Sequence, residues 1–197
     1  MDRVIRIGTR GSLLALTQTG QVAEALVELG VFSTFELVVI KTSGDRIQDR
    51  SLAEIGGKGL FIKEIEEAML EGKVDLAVHS MKDLPGEVAP GLVLEGMLPR
   101  HTPNDLLITN EGFKSIAELP EGACLGTSSL RRQSQAMVLR PDLKVIPLRG
   151  NVDTRLNKLK AREGGLDAII LAAAGMARLG RELDEAFVIP ISEMLPA

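Results

Sequence analysis

The chain has no tryptophan and no tyrosine, and aromatic residues make up only 3% of it. Proteins that bind single-stranded nucleic acid stack bases on aromatic side chains. The formal net charge of -4 gives no general attraction to nucleic acid or to anionic lipid. No nucleic-acid partner and no membrane partner are therefore expected, and any site for an anion has to be local.

Cysteine, histidine and long apolar runs are also scarce. The single cysteine, Cys124, excludes an internal disulfide, and with two histidines it gives too few ligands for a zinc site of His and Cys alone, so no metal is expected. The longest apolar stretch, Ala168 to Ala174, is far shorter than the roughly 20 residues of a membrane helix. The opening residues lack the apolar core of a signal peptide. We expect a cytoplasmic protein.

Apolar runs of strand length alternate with segments of helical period along the chain. This pattern is typical of an α/β protein with a mostly parallel sheet covered by helices. The predicted strands are Val4–Gly8, Phe35–Ile40, Leu76–His79, Leu92–Met97, Leu106–Thr109, Ala123–Gly126, Leu143–Leu148 and Ala168–Leu171.

Capping residues and glycines predict the helix boundaries. The first helix is expected from Leu13 to about Leu29, with Ser12 as its N-cap and Gly30 as its stop. Ser115 and Glu118 have the spacing of a capping box. Further helices are predicted within Leu60–Leu70, ending at Gly72, and from near Ser115, Ser129 and Asn151.

The stretch Leu98–Asn104 carries two prolines and few apolar residues, which favours a crossover between two lobes. We therefore expect a first domain over residues 1–99 and a second over residues 100–190.

Cations gather directly after predicted strands. The carboxyl ends of strands in an open α/β sheet form the ligand crevice, and the following helix offers free N–H groups and a partial positive charge. Arginine in a first helical turn is unfavourable because its charge opposes the helix dipole. Stability therefore does not explain why arginines recur at these positions, whereas binding of a polyanion does. The segments are Thr9–Ser12, Ser80–Asp83, Gly126–Arg132 and Arg149–Arg155.

Several polar residues in these segments have two interpretations. Each hydroxyl can either cap a helix or donate to a ligand oxygen. Asp83 can steady a developing positive charge, or it can pair with Lys82 or cap the turn before Pro85. His79 ends an apolar strand and is expected to be buried and hydrogen-bonded. The hydroxyl residues are Ser12, Thr127, Ser128 and Ser129.

Gly56–Gly59 is not a P-loop, because Gly59 follows Lys58 where a P-loop has serine or threonine. The glycines predict either a mobile loop that brings Lys58 onto a ligand or an ordinary flexible connection.

The same segments carry a resemblance that runs the length of the chain. Arg6–Gln18 reads R-I-G-T-R-G-S-x-L-A-L-x-Q, and Asp75–Pro85 reads D-x-A-V-H-S-M-K-D-L-P. Gly126–Gln133 reads G-T-S-S-L-R-R-Q, and Leu148–Leu156 reads L-R-G-N-V-x-T-R-L. With G-G-K-G-L-F-x-K-E at Gly56–Glu64 and D-A-I-I-L-A-A-A-G at Asp167–Gly175, these motifs resemble the porphobilinogen deaminase family in the family's order.

The resemblance implies two lobes like those of periplasmic binding proteins, with mixed, mostly parallel sheets and a catalytic cleft between them. It also implies that residues 191–197 return to the first domain. It implies a third domain whose cysteine carries a covalent dipyrromethane cofactor. The implied activity is that of a transferase in haem biosynthesis, which joins four porphobilinogen molecules into hydroxymethylbilane with loss of ammonia. Porphobilinogen and pyrrole-chain intermediates are the implied partners, and a monomer is expected.

The resemblance also assigns roles to residues. Asp83 is implied to be the catalytic carboxylate, which contacts pyrrole N–H groups. The residues implied to hold acetate and propionate groups are Arg10, Ser12, Lys82, Ser129, Arg131, Arg132, Arg149, Arg155 and Arg178. Further possible contacts are Gln18, Lys58, Ser80, Thr127, Ser128 and Gly150.

One part of the family pattern has no match. Cys124 lies in a predicted buried strand and does not correspond to the cofactor-bearing cysteine. We therefore expect that the third domain is missing, that this chain carries no covalent cofactor and that by itself it has little or no turnover.

Two other functions remain open. A two-lobed binding protein for a small anion, such as sulfate or a dicarboxylate, would share the architecture and use helix N-termini in the same way. Nucleic-acid binding is suggested only by the arginines at 131, 132, 149 and 155.

Overall fold

A computed structural model of the chain describes residues 3–46, 59–182 and 184–197. The chain forms two compact units, Met1–Pro99 and Arg100–Ala197, which we call the first and second units. The division falls within the proline-containing stretch Leu98–Asn104. Strands alternate with helices in both units, which confirms the predicted α/β class.

The first unit is built on a parallel three-stranded sheet in the order β2-β1-β3. Ile7, Ile65 and Val74 are buried in its core. Ser12 caps the first helix, as predicted, and Gly30 follows its end with φ +72°. The elements are β1 (Ile5–Thr9), α1 (Leu13–Glu28), β2 (Phe35–Val39), α2 (Ser43–Arg46), α3 (Lys63–Leu70) and β3 (Leu76–Ala77).

The second unit has a mixed five-stranded sheet in the order β6-β5-β7-β4-β8. The strands β5, β6 and β7 are parallel, whereas β4 runs antiparallel to both β7 and β8. The elements are β4 (Asp105–Thr109), β5 (Cys124–Gly126), α4 (Leu130–Leu139), β6 (Lys144–Ile146), α5 (Val152–Lys160), β7 (Ala168–Ala172), α6 (Ala173–Arg178) and β8 (Ala186–Val188).

Apolar side chains cover both faces of the second sheet. Leu107 and Ile170 belong to one core cluster, while their neighbours Ile108 and Ile169 belong to another. Successive strand residues point to opposite faces, so the continuous apolar runs of β4 and β7 are explained by burial on both sides.

The parallel strands of the two units share one arrangement. The central strand β1 lies between β2 and β3, and in the same way β5 lies between β6 and β7. Each is followed by a serine-capped helix, with Ser12 at the start of α1 and Ser129 at the start of α4. The carboxyl ends of the parallel strands therefore carry helix N-termini in each unit.

The predicted strand Leu92–Met97 is wrong. Its residues form no strand, and the exposed fractions are 72% for Val93 and 74% for Met97. No strand in the described ranges pairs with this segment, and an apolar run without a hydrogen-bonded neighbour does not form a sheet. The predicted strand Leu76–His79 is also shorter than expected, since it ends at Ala77.

The helix predicted from Ser115 is a single 3-10 turn, Ile116–Glu118. Ser115 makes no capping bond, and the Glu118 carboxylate accepts a hydrogen bond from the backbone N–H of Lys114 instead, at 2.8 Å. Pro120 forces the preceding residue into an extended conformation, which ends the turn.

The resemblance implied that residues 191–197 return to the first domain, but they lie in the second unit. Met194 is buried in the core of the second unit. The backbone N–H of Leu195 donates to Oε1 of Gln135 at 2.7 Å, and Nε2 of Gln135 donates back to the Leu195 carbonyl at 3.2 Å. These contacts attach the segment to α4.

Within the described ranges, no helix is both long and apolar enough to cross a membrane.

Candidate functional site

The first unit gathers its predicted site residues after β1 and β3. Because these strands are parallel, their carboxyl ends lie at one edge of the sheet, the edge at which open α/β sheets bind ligands. Arg10 and Ser12 follow β1, and Lys82 and Asp83 follow β3. Lys58 lies outside the described residues.

Arg10 is held by an acid and an aromatic ring. Its Nε donates to Oδ1 of Asp45 at 3.2 Å, its Nη2 pairs with the same carboxylate, and its guanidinium lies 4.2 Å from the centre of the Phe61 ring. The hydroxyl of Thr42 donates to Oδ2 of Asp45 at 2.7 Å. Burial alone would raise the pKa of Asp45, but hydrogen bonds from Arg10 and Thr42 outweigh it and lower that pKa.

Asp45 and Phe61 were not among the residues singled out from the sequence. Asp45 lies in α2, directly after β2, so the same rule that found the other loops could have found it. No comparable sequence signal marks Phe61, because its role depends on the close approach of α2. A Cβ added at Gly44 would lie 2.2 Å from Cε1 of Phe61, so the ring fits only beside a glycine.

The hydroxyl groups of Ser12 and Ser80 both have hydrogen-bond partners within the first unit. Ser12 Oγ accepts from the backbone N–H of Ala15 at 3.2 Å, which is the capping interpretation of that residue. Ser80 donates its hydroxyl hydrogen to Oε1 of Gln18 at 3.1 Å. Gln18 therefore supports the loop after β3 from its position on α1.

Lys82 and Asp83 lie in an exposed 3-10 turn, Met81–Asp83. The neighbouring His79 is half-buried, and burial is the main reason that its pKa is lowered. The charge of Asp83 raises the pKa of His79 and the charge of Arg10 lowers it further. The effects of both charges on one imidazole indicate that Arg10, His79 and Asp83 share this edge of the sheet.

The loop after β5 in the second unit is tied down by its own hydroxyl groups. Ser129 caps α4 by accepting from the backbone N–H of Arg132 at 3.4 Å, and Thr127 Oγ1 accepts from the backbone N–H of Ser129 at 3.1 Å. Ser128 bonds to both backbone groups of Leu148 at 3.0 Å. All three hydroxyls thus have structural partners.

Arg131 and Arg132 share one buried acid, Asp105. Nη2 of Arg131 lies 2.6 Å from Oδ2 of Asp105, and Nη2 of Arg132 lies 2.6 Å from Oδ1. Arg132 is only 6% exposed, so the pair it forms with Asp105 is buried. Burial alone would raise the pKa of Asp105, but the two arginines lower it.

Arg149 and Gly150 lie in the loop after β6, and Arg155 lies in α5, the helix that follows this loop. Gly150 has φ +113°, and a Cβ there would lie 2.6 Å from Cγ2 of Thr154, so the loop requires glycine. Nε of Arg155 donates to the carbonyl of Gly150 at 2.9 Å. Burial, followed by the charges of Arg132 and Arg149, lowers the pKa of Arg155. Arg132 and Arg149 are therefore each close enough to repel Arg155.

Arg178 lies at the last residue of α6, the helix that follows β7 directly. Unlike the other predicted arginines it is at the C-terminal end of a helix, where a cation stabilises the helix dipole. A structural reason for this arginine therefore exists beside the predicted binding role.

Cys124 is buried in β5, and its thiol lies 3.9 Å from the carbonyl oxygen of Gly164. Burial, followed by the charge of Asp167, raises the pKa of the thiol, which disfavours the nucleophilic thiolate. Among the described residues, no group of three or more His, Cys, Asp or Glu side chains could hold a metal ion.

Comparison with known protein families identifies one match over nearly the whole chain. The family model described as porphobilinogen deaminase, dipyromethane cofactor binding domain, matches residues 5–197.

Individual relatives carry the same name. The porphobilinogen deaminase of Syntrophobacter fumaroxidans is 53% identical over 196 residues, which cover 100% of this chain and 62% of that protein. That of Nitratidesulfovibrio vulgaris is 55% identical over 192 residues, covering 97% of this chain and 59% of that protein. The chain thus spans about three fifths of the length of these relatives.

Solved structures show the same fold in two-lobed binding proteins. The probable amino-acid ABC transporter extracellular-binding protein ytmK of Bacillus subtilis aligns with a TM-score of 0.55 at 14% identity, covering 96% of this chain and 79% of that one. Substrate binding domain 2 of GlnP from Lactococcus lactis aligns with a TM-score of 0.51 at 13% identity, covering 87% and 68%. At such low identity the likeness concerns the fold alone.

Proposed function

The chain belongs to the porphobilinogen deaminase family, and we propose that it supplies the catalytic carboxylate and the substrate-binding arginines of an enzyme that joins four porphobilinogen molecules into hydroxymethylbilane. Each condensation breaks a C–N bond, releases ammonia and forms a C–C bond between pyrrole rings. The complete activity is proposed for the full-length protein, because this chain covers 62% of the Syntrophobacter relative.

The observation that carries the proposal is the surplus of guanidinium groups in the second unit. Arg131, Arg132 and Arg155 lie at the carboxyl ends of the parallel strands. Among the described residues, Asp105 is the one acid whose carboxylate bonds to any of these three arginines. Porphobilinogen carries an acetate and a propionate on its ring. A guanidinium group matches a carboxylate through two parallel hydrogen bonds, so a substrate with several carboxylates fits this surplus.

The same residues fit the dipyrromethane cofactor that the matching family model names. When bound, this group supplies the pyrrole carbon to which the first substrate molecule is joined. The buried Nε of Arg132 has no hydrogen-bond partner in the described part of the chain, so it remains able to donate. We propose that Arg131, Arg132, Arg149 and Arg155 hold cofactor or substrate carboxylates, with Ser129 shaping the helix N-terminus beside them.

Asp83 is proposed as the catalytic residue of the first unit. It is exposed at the edge where parallel strands end. A carboxylate in that position can accept hydrogen bonds from pyrrole N–H groups and stabilise the positive charge that develops as ammonia leaves and as rings couple. Arg10 and Lys82, with Ser12 at the start of α1, are proposed to hold the substrate's carboxylates there, and Arg178 has the same proposed role in the second unit.

The covalent cofactor is proposed to attach outside residues 1–197. Cys124 is buried, and the pKa of its thiol is raised by that burial, so it is a poor nucleophile for a bulky pyrrole. A polypeptide of these residues alone is therefore expected to show little or no turnover. We also propose a cytoplasmic monomer, and the single cysteine, Cys124, suits a reducing compartment.

The test is an assay of porphobilinogen consumption and hydroxymethylbilane formation by the full-length protein and its Asp83→Asn variant. The variant is expected to lose roughly 100-fold or more in kcat, the usual effect of removing one charge-stabilising group. Asp142→Asn is the matched control, because Asp142 pairs with Arg140 before β6, at the opposite ends of the parallel strands. An equal loss in both variants would contradict the catalytic role of Asp83.

A full-length protein that does not consume porphobilinogen would contradict the proposed reaction. Micromolar sulfate binding that excludes porphobilinogen would then favour a small-anion binding protein, the function class that the two-lobed fold also supports.

A further inference from the structure

Asp105 reaches the binding edge of the second sheet because β4 is reversed. It is the first residue of β4 and lies opposite Ala172, the last residue of β7. In an antiparallel pair the start of one strand meets the end of its neighbour. A residue that begins a strand is thereby brought among the loops that follow the parallel strands.

The two oxygens of Asp105 have separate partners. Oδ2 accepts from Nη2 of Arg131 and Oδ1 accepts from Nη2 of Arg132, each at 2.6 Å. Nη1 of Arg132 donates to the carbonyl of Ile170 at 3.0 Å. Two of the three nitrogens of the Arg132 guanidinium are therefore fixed, and their bonds set the orientation of its plane.

The third nitrogen of that guanidinium, Nε, is buried without a hydrogen-bond partner among the described residues. Arg132 as a whole is only 6% exposed. A buried N–H group that lacks a partner is rare in native proteins, because it has given up its bond to water. A ligand oxygen would satisfy this group.

We propose that Asp105 is the positioning residue for Arg131 and Arg132, holding both guanidinium groups in the orientation that receives carboxylates of the substrate or cofactor. This inference rests on the proposed function. Asp105 acts through the two arginines and does not itself touch the ligand.

The charge of Asp105 is the wrong sign for attracting a carboxylated ligand. An acid among carboxylate-binding arginines reduces the attraction between the site and any anion. Its benefit must therefore come from geometry, since it bridges two guanidinium groups that would otherwise repel each other and turn towards solvent. The two explanations, attraction by charge and positioning by geometry, therefore predict opposite changes in KM when the charge of Asp105 is removed.

Asp105→Asn in the full-length protein removes the negative charge and keeps the shape. If attraction alone governs binding, the KM for porphobilinogen falls, because the site becomes more positive. If Asp105 positions the arginines, KM rises about tenfold despite the added positive charge. The neutral amide group also places an N–H donor against a guanidinium, so at most one of the two arginines stays aligned.

Asp105→Glu tests the same relationship in a variant that keeps the charge. Glutamate keeps the negative charge and can still pair with the arginines, while its longer side chain shifts both guanidinium groups. Because Asp105 is buried, the added methylene group also costs some stability, and thermal melting checks that the variant is folded. A KM still raised about threefold or more supports positioning. A KM equal to that of wild type overturns the proposal, as does an unchanged or lower KM in folded Asp105→Asn. Asp142→Asn is the control and should leave KM unchanged.

The proposed function and the positioning role can fail separately. If the wild-type protein does not consume porphobilinogen, the proposed function fails, and the positioning role is then judged by calorimetric binding of succinate. Weaker succinate binding by Asp105→Asn than by wild type supports positioning. Equal or tighter binding overturns it.

Discussion

The Ser80 hydroxyl donates a hydrogen bond of 3.1 Å to Oε1 of Gln18, and this bond joins two segments that are far apart in sequence. Ser80 precedes the turn that carries Lys82 and Asp83, whereas Gln18 lies on α1. The helix that begins beside Arg10 therefore also steadies the turn that carries the proposed catalytic acid. A short β3 of two residues gives that turn little support of its own.

Gln18→Ala is expected to lower kcat about two- to tenfold, because a hydrogen bond of this kind contributes about 0.5–1.5 kcal/mol. The loss should appear in kcat at saturating porphobilinogen. Thr17→Ala is the control, since among the described residues the Thr17 hydroxyl bonds only within α1, to the carbonyl of Leu13 at 2.9 Å. If both variants have the same kcat, Gln18 has no positioning role.

Gly44→Ala is expected to weaken substrate binding through Arg10. The new methyl group would overlap the ring of Phe61, which must then move away from the guanidinium that lies 4.2 Å from its centre. Overpacking of this kind destabilises by about 1–3 kcal/mol, and KM for porphobilinogen should rise several-fold. Chemical unfolding and steady-state kinetics measure the two effects.

Gly20→Ala is the matched control for that substitution. Gly20 lies inside α1, and a Cβ there meets no atom within 4 Å. Alanine in a helix interior is more favourable than glycine by about 0.5–1 kcal/mol. Gly20→Ala should therefore raise stability and leave KM unchanged, and a rise in KM here would show that the assay responds to any change at a glycine.

Asp75 should make the free energy of unfolding depend on pH in the acid range. Hydrogen bonds from the side chain and backbone of Arg6 lower the pKa of Asp75 to about 2, and Arg3 also pairs with it. An acid whose pKa is lowered in the folded state stabilises the fold above its unfolded pKa of about 3.9 and loses that effect as pH falls towards its folded pKa.

The free energy of unfolding of wild type should therefore exceed that of Asp75→Asn near pH 6 by on the order of 1 kcal/mol, since Arg3 and Arg6 are partly exposed to solvent. The difference should shrink between about pH 4 and pH 2. Urea unfolding at several pH values measures it. A difference that stays constant over that range would show that the loss comes from packing instead.

Cys124 should react slowly with thiol reagents in the native protein. Burial raises the pKa of its thiol, so labelling at pH 8 should be at least about tenfold slower than in denaturant. In a tryptic digest of the full-length protein, the peptide with Cys124 should carry no pyrrole. Two pyrrole units on that peptide would show that the cofactor attaches there.

The sequence predicted the parallel part of the fold well because local signals define it. Ser12, Ser129 and Asn151 each cap the helix expected of them, since a capping residue acts on N–H groups within three residues. The loops after β1, β3, β5 and β6 could be found for the same reason.

Features that depend on distant partners were missed. The sequence rule looks at segments that directly follow strands, and it does not include Asp105 because this residue begins a strand. The role of Asp105 depends instead on the antiparallel pairing of β4 with β7. The burial of Arg132 depends on that same acid. The short strand β8 also escaped notice, because Ala186–Val188 is too brief to show a period.

The reversed strand β4 also determines when the second unit can form. Its neighbours in the sheet, β7 and β8, both come later in the chain, so β4 has no partner strand until they have been synthesised. The three strands of the first sheet are all complete by Ala77. During translation the first unit can therefore fold early, while β4 and the carboxylate of Asp105 wait for the end of β7, and the arginine pair gains its fixed orientation among the last events of folding.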